Sequence, residues 1–187
     1  PYRTVVDIAR TNAFRYALGY VDGLAREYGV EREELRAYAQ TNCRGLHGIA
    51  RAFDVFEHMD GRSDNGGESE ARAAMILAGV AAPELQVEIT RPGNAGYYLA
   101  DYGWQMPNGS WMLAELHGLG KFEDDAQNDP EHTAAKTYRA ALMRDTNLRA
   151  MGHNVIHFKL SDTYDVKAFG SMMRGYGIPT TKPYADS

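Results

Sequence analysis

This sequence predicts a mixed α/β fold, and three observations lead to that prediction. Apolar residues recur at helical spacing up to about residue 62; short β-rich runs appear only after the polar, Gly-rich stretch GRSDNGG; and helical segments flank and interrupt those runs. The second half then reads α-β-β-β-α-β-α. A helical module over residues 1–62 and a mixed-sheet domain flanked by helices over residues 63–187 are expected.

Taken in order, TVVDIARTNAFRYALGYVDGLAREY carries a helical apolar pattern that stops before Gly29, EREELRAYAQ opens with acids in its first turn, and GLHGIARAFDVFEHM is a third helical segment. GRSDNGG is a linker. Residues 68–78 are helical, with Ala71, Met75 and Ala78 toward one side. Pro83 introduces a strand at residues 84–90, and RPGNAG is a turn. YYLADYGWQ and SWMLAELHG are strands joined by a turn, and HGLGKFEDDAQNDP is a polar excursion. A long helix over residues 132–151 closes at Gly152, HNVIHFK is a strand, residues 165–175 form the last helix, and the tail from Pro179 is expected to be loose.

The composition narrows the function classes. With 187 residues, 44% of them hydrophobic, the chain can bury a substantial core. No stretch approaches about 18 uninterrupted apolar residues, so no membrane partner is expected. The single cysteine, Cys43, excludes an internal disulfide framework and a Cys-rich zinc site, which suits a reducing cytoplasm, and Cys43 itself reads as a packing residue. A net charge of -5 argues against a broad basic surface for nucleic acid, yet it is compatible with a carboxylate site whose bound cation faces phosphate. Because the chain starts at Pro1 with no Met, a preceding N-terminal module is expected.

The most informative residues are Asp101 and Glu115. Pro107-Asn108-Gly109 has the chemistry of a three-residue hairpin loop. Counting outward from it sets Met106 against Ser110, Gln105 against Trp111 and Asp101 against Glu115. Directly opposed side chains share a face, with Cβ atoms about 4.5–5.5 Å apart. Two carboxylates so close repel unless a cation or a proton lies between them, and oxygen ligands suit Mg²⁺, Ca²⁺ or Mn²⁺. Strict alternation would put Leu99 and Leu113 on the Asp101 face and Tyr98, Ala100, Met112, Ala114 and Leu116 on the other, as in a strand pair buried on both sides.

Other residues could join this site. Glu68, in the first turn of its helix, is a candidate further or water-mediated ligand. Gln86 is a neutral candidate on the intervening strand. His117 lies two residues beyond Glu115 on the same face, about 6.5–7 Å away, where it could polarise water or contact phosphate. Lys121 follows Gly118 and Gly120 and could stabilise a phosphorane-like transition state. His153 and His157 fall about 13 Å apart along their strand, too far for one ion. Lys136, Arg139, Arg144 and Arg149 scatter around their helix and form no phosphate-tracking stripe.

The ordered series of Glu68 in a helix, Gln86 in the next strand, Asp101, and Glu115 followed by His117-Gly118 resembles the PD-(D/E)XK, restriction-endonuclease-like superfamily. More narrowly, it is similar to the very-short-patch-repair-like group found at the C-terminus of AbiEi-like bacterial proteins. The resemblance runs over roughly residues 62–176. It rests on the ESxxR-like start at Glu68-Ser69-Glu70-Ala71-Arg72, the PELQVEI-like strand, the Asp-bearing strand, Ala114-Glu115-Leu116-His117-Gly118, and the Gly-x-x-V-x-x-F-like strand entered at Gly152. His117 stands where the superfamily usually has Lys. The resemblance implies a restriction-endonuclease-like mixed-sheet core. It implies a Mg²⁺- or Mn²⁺-dependent endonuclease that hydrolyses DNA, with Asp101, Glu115 and Glu68 as metal ligands and His117 and Lys121 assisting. As the alternative, it accommodates a noncatalytic nuclease-like module of a bacterial regulator or abortive-infection antitoxin, with a toxin or regulatory partner. Another metal-dependent enzyme is the third expectation.

Overall fold

The computed structural model describes residues 2–117 and 130–184, and the chain separates into two compact units, Pro1–Ala82 with Thr163–Ser187, and Pro83–Asp162. The expected junction at residues 62/63 falls inside the first unit.

The first unit is helical: α1 (Tyr2–Thr11), α2 (Phe14–Tyr28), α3 (Arg32–Asn42), α4 (Ile49–Glu57), α5 (Gly66–Leu77) and α7 (Val166–Gly175). The long helix expected from residue 4 to 28 is two helices. Thr11 Oγ1 and the Asn12 side-chain amide turn back onto the carbonyls of Asp7 and Ile8, and Ala13 is extended with ψ 143°, so polar side chains finish α1 before the apolar pattern ends. Gly29, with φ 63°, closes α2, and Glu31 and Glu34 form a reciprocal capping box for α3. Val6, Phe14, Leu18, Val21, Leu35 and Phe56 are fully buried together, and Cys43 packs among them as expected.

The tail is held as far as it is described, to Tyr184, contrary to the expectation that it is loose from Pro179 onward. The Ala81 N–H donates to the Pro179 carbonyl and the Thr181 N–H to the Gly79 carbonyl, both at 2.9 Å, forming a bridge between Val80 and Thr180. The Tyr184 ring then packs 4.4 Å from that of Phe14. Composition signals a polar tail here; backbone pairing and one aromatic anchor override it.

The second unit holds β1 (Glu84–Thr90), β2 (Tyr97–Gln105), β3 (Trp111–His117), α6 (Pro130–Ala150) and β4 (Asn154–Lys159). The sheet order is β1-β2-β3-β4; the first two pairings are antiparallel, and β3 with β4 is parallel. Together the units make a mixed α/β fold. The hairpin register is the expected one, with Gln105 opposite Trp111 and Tyr102 opposite Ala114. Gly109, at φ 81°, donates to the Met106 carbonyl, and Met106 donates to that of Ser110. A parallel partner requires a crossover, and α6 falls in the chain between β3 and β4.

Strict face alternation does not hold. Leu113 shares one apolar cluster with Ala100 and Tyr98, together with Val87, Val155 and Leu148 of α6, while Leu99 is exposed. The break falls beside a distortion of β1. Gln86, between the pairs Leu85–Tyr102 and Val87–Ala100 and so opposite Asp101, has φ 52°, a left-handed conformation that interrupts the pleat.

Candidate functional site

Regular pairing of β2 with β3 ends at Tyr102 and Ala114, and Asp101 and Glu115 come next. Asp101 is buried, and its Oδ2 accepts the Leu116 N–H at 2.8 Å. A side chain therefore takes a backbone donor of the neighbouring strand, which anchors this carboxylate against β3. Glu115 is mostly buried, and its Oε1 accepts from Arg144 of α6, whose same guanidinium nitrogen also donates to the Leu99 carbonyl. Burial raises the proton affinity of Glu115 above the usual carboxylate range. The charge of Asp101 adds to the rise, while the Arg144 hydrogen bond and charge, and His157, oppose it. Burial works against the charge on Arg144, but the carboxylates of Glu115, Asp145 and Asp101 outweigh it and hold the guanidinium firmly protonated.

The two acids are thus neighbours, and the cation in contact with Glu115 is a side chain. Arg144 belongs to no basic stripe on its helix, so the pattern of charges alone gives it no role. Its spacing from Leu148 was the usable signal: residues four apart share a helix face, and Leu148 is fully buried in the sheet cluster.

His117 and His157 form the second part of the site. In the parallel register Glu115 pairs with His157 and His117 with Lys159, and the imidazoles of His117 and His157 stack with centroids 4.7 Å apart. His157 Nε2 lies 2.7 Å from Asp145 Oδ2, whose other oxygen is buried with no hydrogen-bond partner among the described residues. Consecutive residues of α6 therefore engage register partners on β3 and β4: Arg144 takes Glu115 and Asp145 takes His157. His153 lies before β4, where its Nδ1 accepts the Trp111 N–H at 3.2 Å. The imidazole that stacks on His157 thus comes from the neighbouring strand, not from His153 along its own chain direction.

Glu68 lies in the helical unit and is buried. Its carboxylate accepts the Asp64 N–H at 2.7 Å and the Asn65 side-chain amide at 2.8 Å, while Asn65 caps the Glu68 N–H. Arg72, four residues on, donates to both oxygens of the buried Asp22 at 2.8 and 2.9 Å. The Glu68-to-Arg72 motif thus knits its own unit. Lys121, with Gly118 and Gly120, lies outside the described residues. Among the described residues no group of three or more His, Cys, Asp or Glu side chains is placed to hold a metal ion. By donor chemistry, Asp101 and Glu115 suit a hard divalent cation, as two neighbouring carboxylates in a poorly solvated spot that already attracts a positive charge. Among the described residues no helix is long and apolar enough to cross a membrane.

No family model matches the chain, and no solved structure matches it. It is 35% identical over 104 residues to the uncharacterized protein Rv2248 of Mycobacterium tuberculosis strain ATCC 25618 / H37Rv, and equally to the uncharacterized protein MT2308 of strain CDC 1551 / Oshkosh. The matched stretch is 56% of this chain and 38% of either relative, so the chain spans well under half the length of the proteins it matches.

Proposed function

We propose that the second unit carries a nuclease-like site that hydrolyses DNA phosphodiester bonds with the help of a divalent cation. The observation that carries this reading is the pairing of two poorly solvated carboxylates, Asp101 and Glu115, where the β2–β3 ladder ends, in contact with a cationic group. Support also comes from the element order β1-β2-β3-α6-β4, which follows the series on which the restriction-endonuclease-like resemblance rests. Asp101 and Glu115 would hold Mg²⁺ or Mn²⁺, which when bound activates water and neutralises charge on the scissile phosphate. Asp101 orients its carboxylate through the Leu116 N–H. His117, exposed at the end of β3, offers an imidazole N–H to a phosphate oxygen in place of the usual Lys. Lys121, which lies outside the described residues, would stabilise charge on the phosphate as the resemblance implies. Glu68 is engaged by Asp64 and Asn65 in the helical unit, and the cation is assigned to Asp101 and Glu115. A cytoplasmic location accords with this chemistry.

A second reading, a noncatalytic nuclease-like module of a bacterial regulator or antitoxin with a toxin or regulatory partner, is favoured by the Arg144–Glu115 ion pair and by His at position 117. Mn²⁺ titration by calorimetry beside a plasmid-nicking assay separates the two. The nuclease reading expects wild type to bind Mn²⁺ and nick DNA. Asp101→Ala and Glu115→Ala should each lose more than the ~10–100-fold that removing a ligand's neighbour costs. Wild type that neither binds metal nor nicks leaves only the noncatalytic reading.

A further inference from the structure

We infer that Arg144 is a positioning residue that sets the divalent-cation affinity of the acid pair, because it competes with the metal for the same Glu115 oxygen. The inference rests on the reading of Asp101 and Glu115 as a cation site, and it adds the group that regulates that site. Arg144 donates from one nitrogen both to Glu115 Oε1 and to the Leu99 carbonyl, so the guanidinium is seated on β2 and β3 together. The charges of Asp101 and Asp145 attract it as well.

A metal ion and a guanidinium cannot share that oxygen at contact distance without strong repulsion in a site this poorly solvated. A cation can therefore take Glu115 Oε1 only as Arg144 withdraws, and the free energy of the Arg144–Glu115 bond is then subtracted from the metal's affinity. The Arg144 side chain is 23% exposed, which leaves it a route toward solvent. Guanidinium groups form forked hydrogen bonds with phosphate as readily as with carboxylate, so an arriving phosphodiester would offer Arg144 an alternative partner.

A hydrogen bond to an ionised partner is strong enough that losing the competitor should tighten metal binding about 10- to 100-fold. The experiment is Mn²⁺ titration by calorimetry of wild type, Arg144→Gln, Arg144→Lys and Glu115→Gln, with thermal unfolding of each protein measured with and without Mn²⁺. Arg144→Gln should bind Mn²⁺ about 10- to 100-fold more tightly than wild type. Arg144→Lys should fall between, since an ammonium is more strongly hydrated and a weaker competitor. Glu115→Gln should lose binding. Mn²⁺ should also raise the unfolding temperature of Arg144→Gln more than that of wild type, a difference that a purely structural role for Arg144 does not produce.

Equal or weaker Mn²⁺ binding by a folded Arg144→Gln overturns the inference while wild-type binding keeps the site. If Arg144→Gln does not fold, Arg144→Lys decides in the same way. If no protein in the set binds Mn²⁺, the inference and the cation-site reading fall together.

Discussion

Replacing Arg72 with Met should be among the most damaging single changes in the helical unit. The Asp22 carboxylate is fully buried and accepts three hydrogen bonds: two from Arg72, and one from the Asp60 N–H at 2.8 Å. Methionine keeps most of the side-chain volume, so the loss is electrostatic. Asp22 retains one donor, and a buried charge stripped of its partner typically costs about 3–5 kcal/mol. Domains of this kind hold only about 5–15 kcal/mol in total, so Arg72→Met should lower the urea midpoint of the helical unit severely, as read by circular dichroism. Burial already keeps Asp22 above the usual carboxylate range, against the opposing charge of Arg72. For an acid whose folded pKa is raised, stability is present at low pH and is lost as pH rises through the folded value. The Arg72→Met deficit should therefore shrink as pH falls and Asp22 takes up a proton. The double variant Asp22→Leu with Arg72→Met should recover most of the loss, because it removes both charges. A pH-independent deficit under about 1 kcal/mol for Arg72→Met would refute the reasoning.

Two further outcomes concern the sheet. Carboxyl NMR should place the Glu115 titration above the ordinary glutamate range, and Asp101→Asn should bring it down, because burial raises it and the Asp101 charge adds to the rise. The raised value means that the Glu115 contribution favours folding at low pH and is lost as pH rises through the folded pKa, so Asp101→Asn should reduce the part of this loss that the Asp101 charge causes; an unchanged pH dependence of the unfolding midpoint would contradict the proximity of the two acids. At Gln86, with φ 52°, Gly should leave stability within about 1 kcal/mol of wild type, whereas Val should cost about 1–3 kcal/mol in denaturant unfolding; a neutral Val would mean that this backbone conformation is not maintained.

Local chemistry made much of the fold legible. Pro83 and the alternation after it mark β1 to the residue, and Pro107-Asn108-Gly109 determines a register that carries Asp101 to Glu115. What local chemistry misses depends on distant partners. The break between α1 and α2 is made by Thr11 and Asn12 side chains within an unbroken apolar pattern, and the tail is ordered by Val80, about a hundred residues earlier. In the site, His157 reaches Glu115 only because β4 lies parallel to β3, and Arg144 only because α6 turns the Leu148 face to the sheet. Glu68 has the right residue type and helix position for a ligand, but the structure uses it to tie down the turn that starts α5.

The helical unit is discontinuous in sequence, and this affects how the protein is made. Pro83–Asp162, the whole sheet unit, leaves the ribosome before Thr163, whose carbonyl and hydroxyl both accept hydrogen bonds from Arg15, 148 residues earlier. Until that segment and Thr180 emerge, α2 and α5 lack contacts that only the last stretch of chain supplies. The earlier-synthesised unit is therefore the later one to be completed, because the α7 segment that packs on α5 is made only after the whole sheet unit.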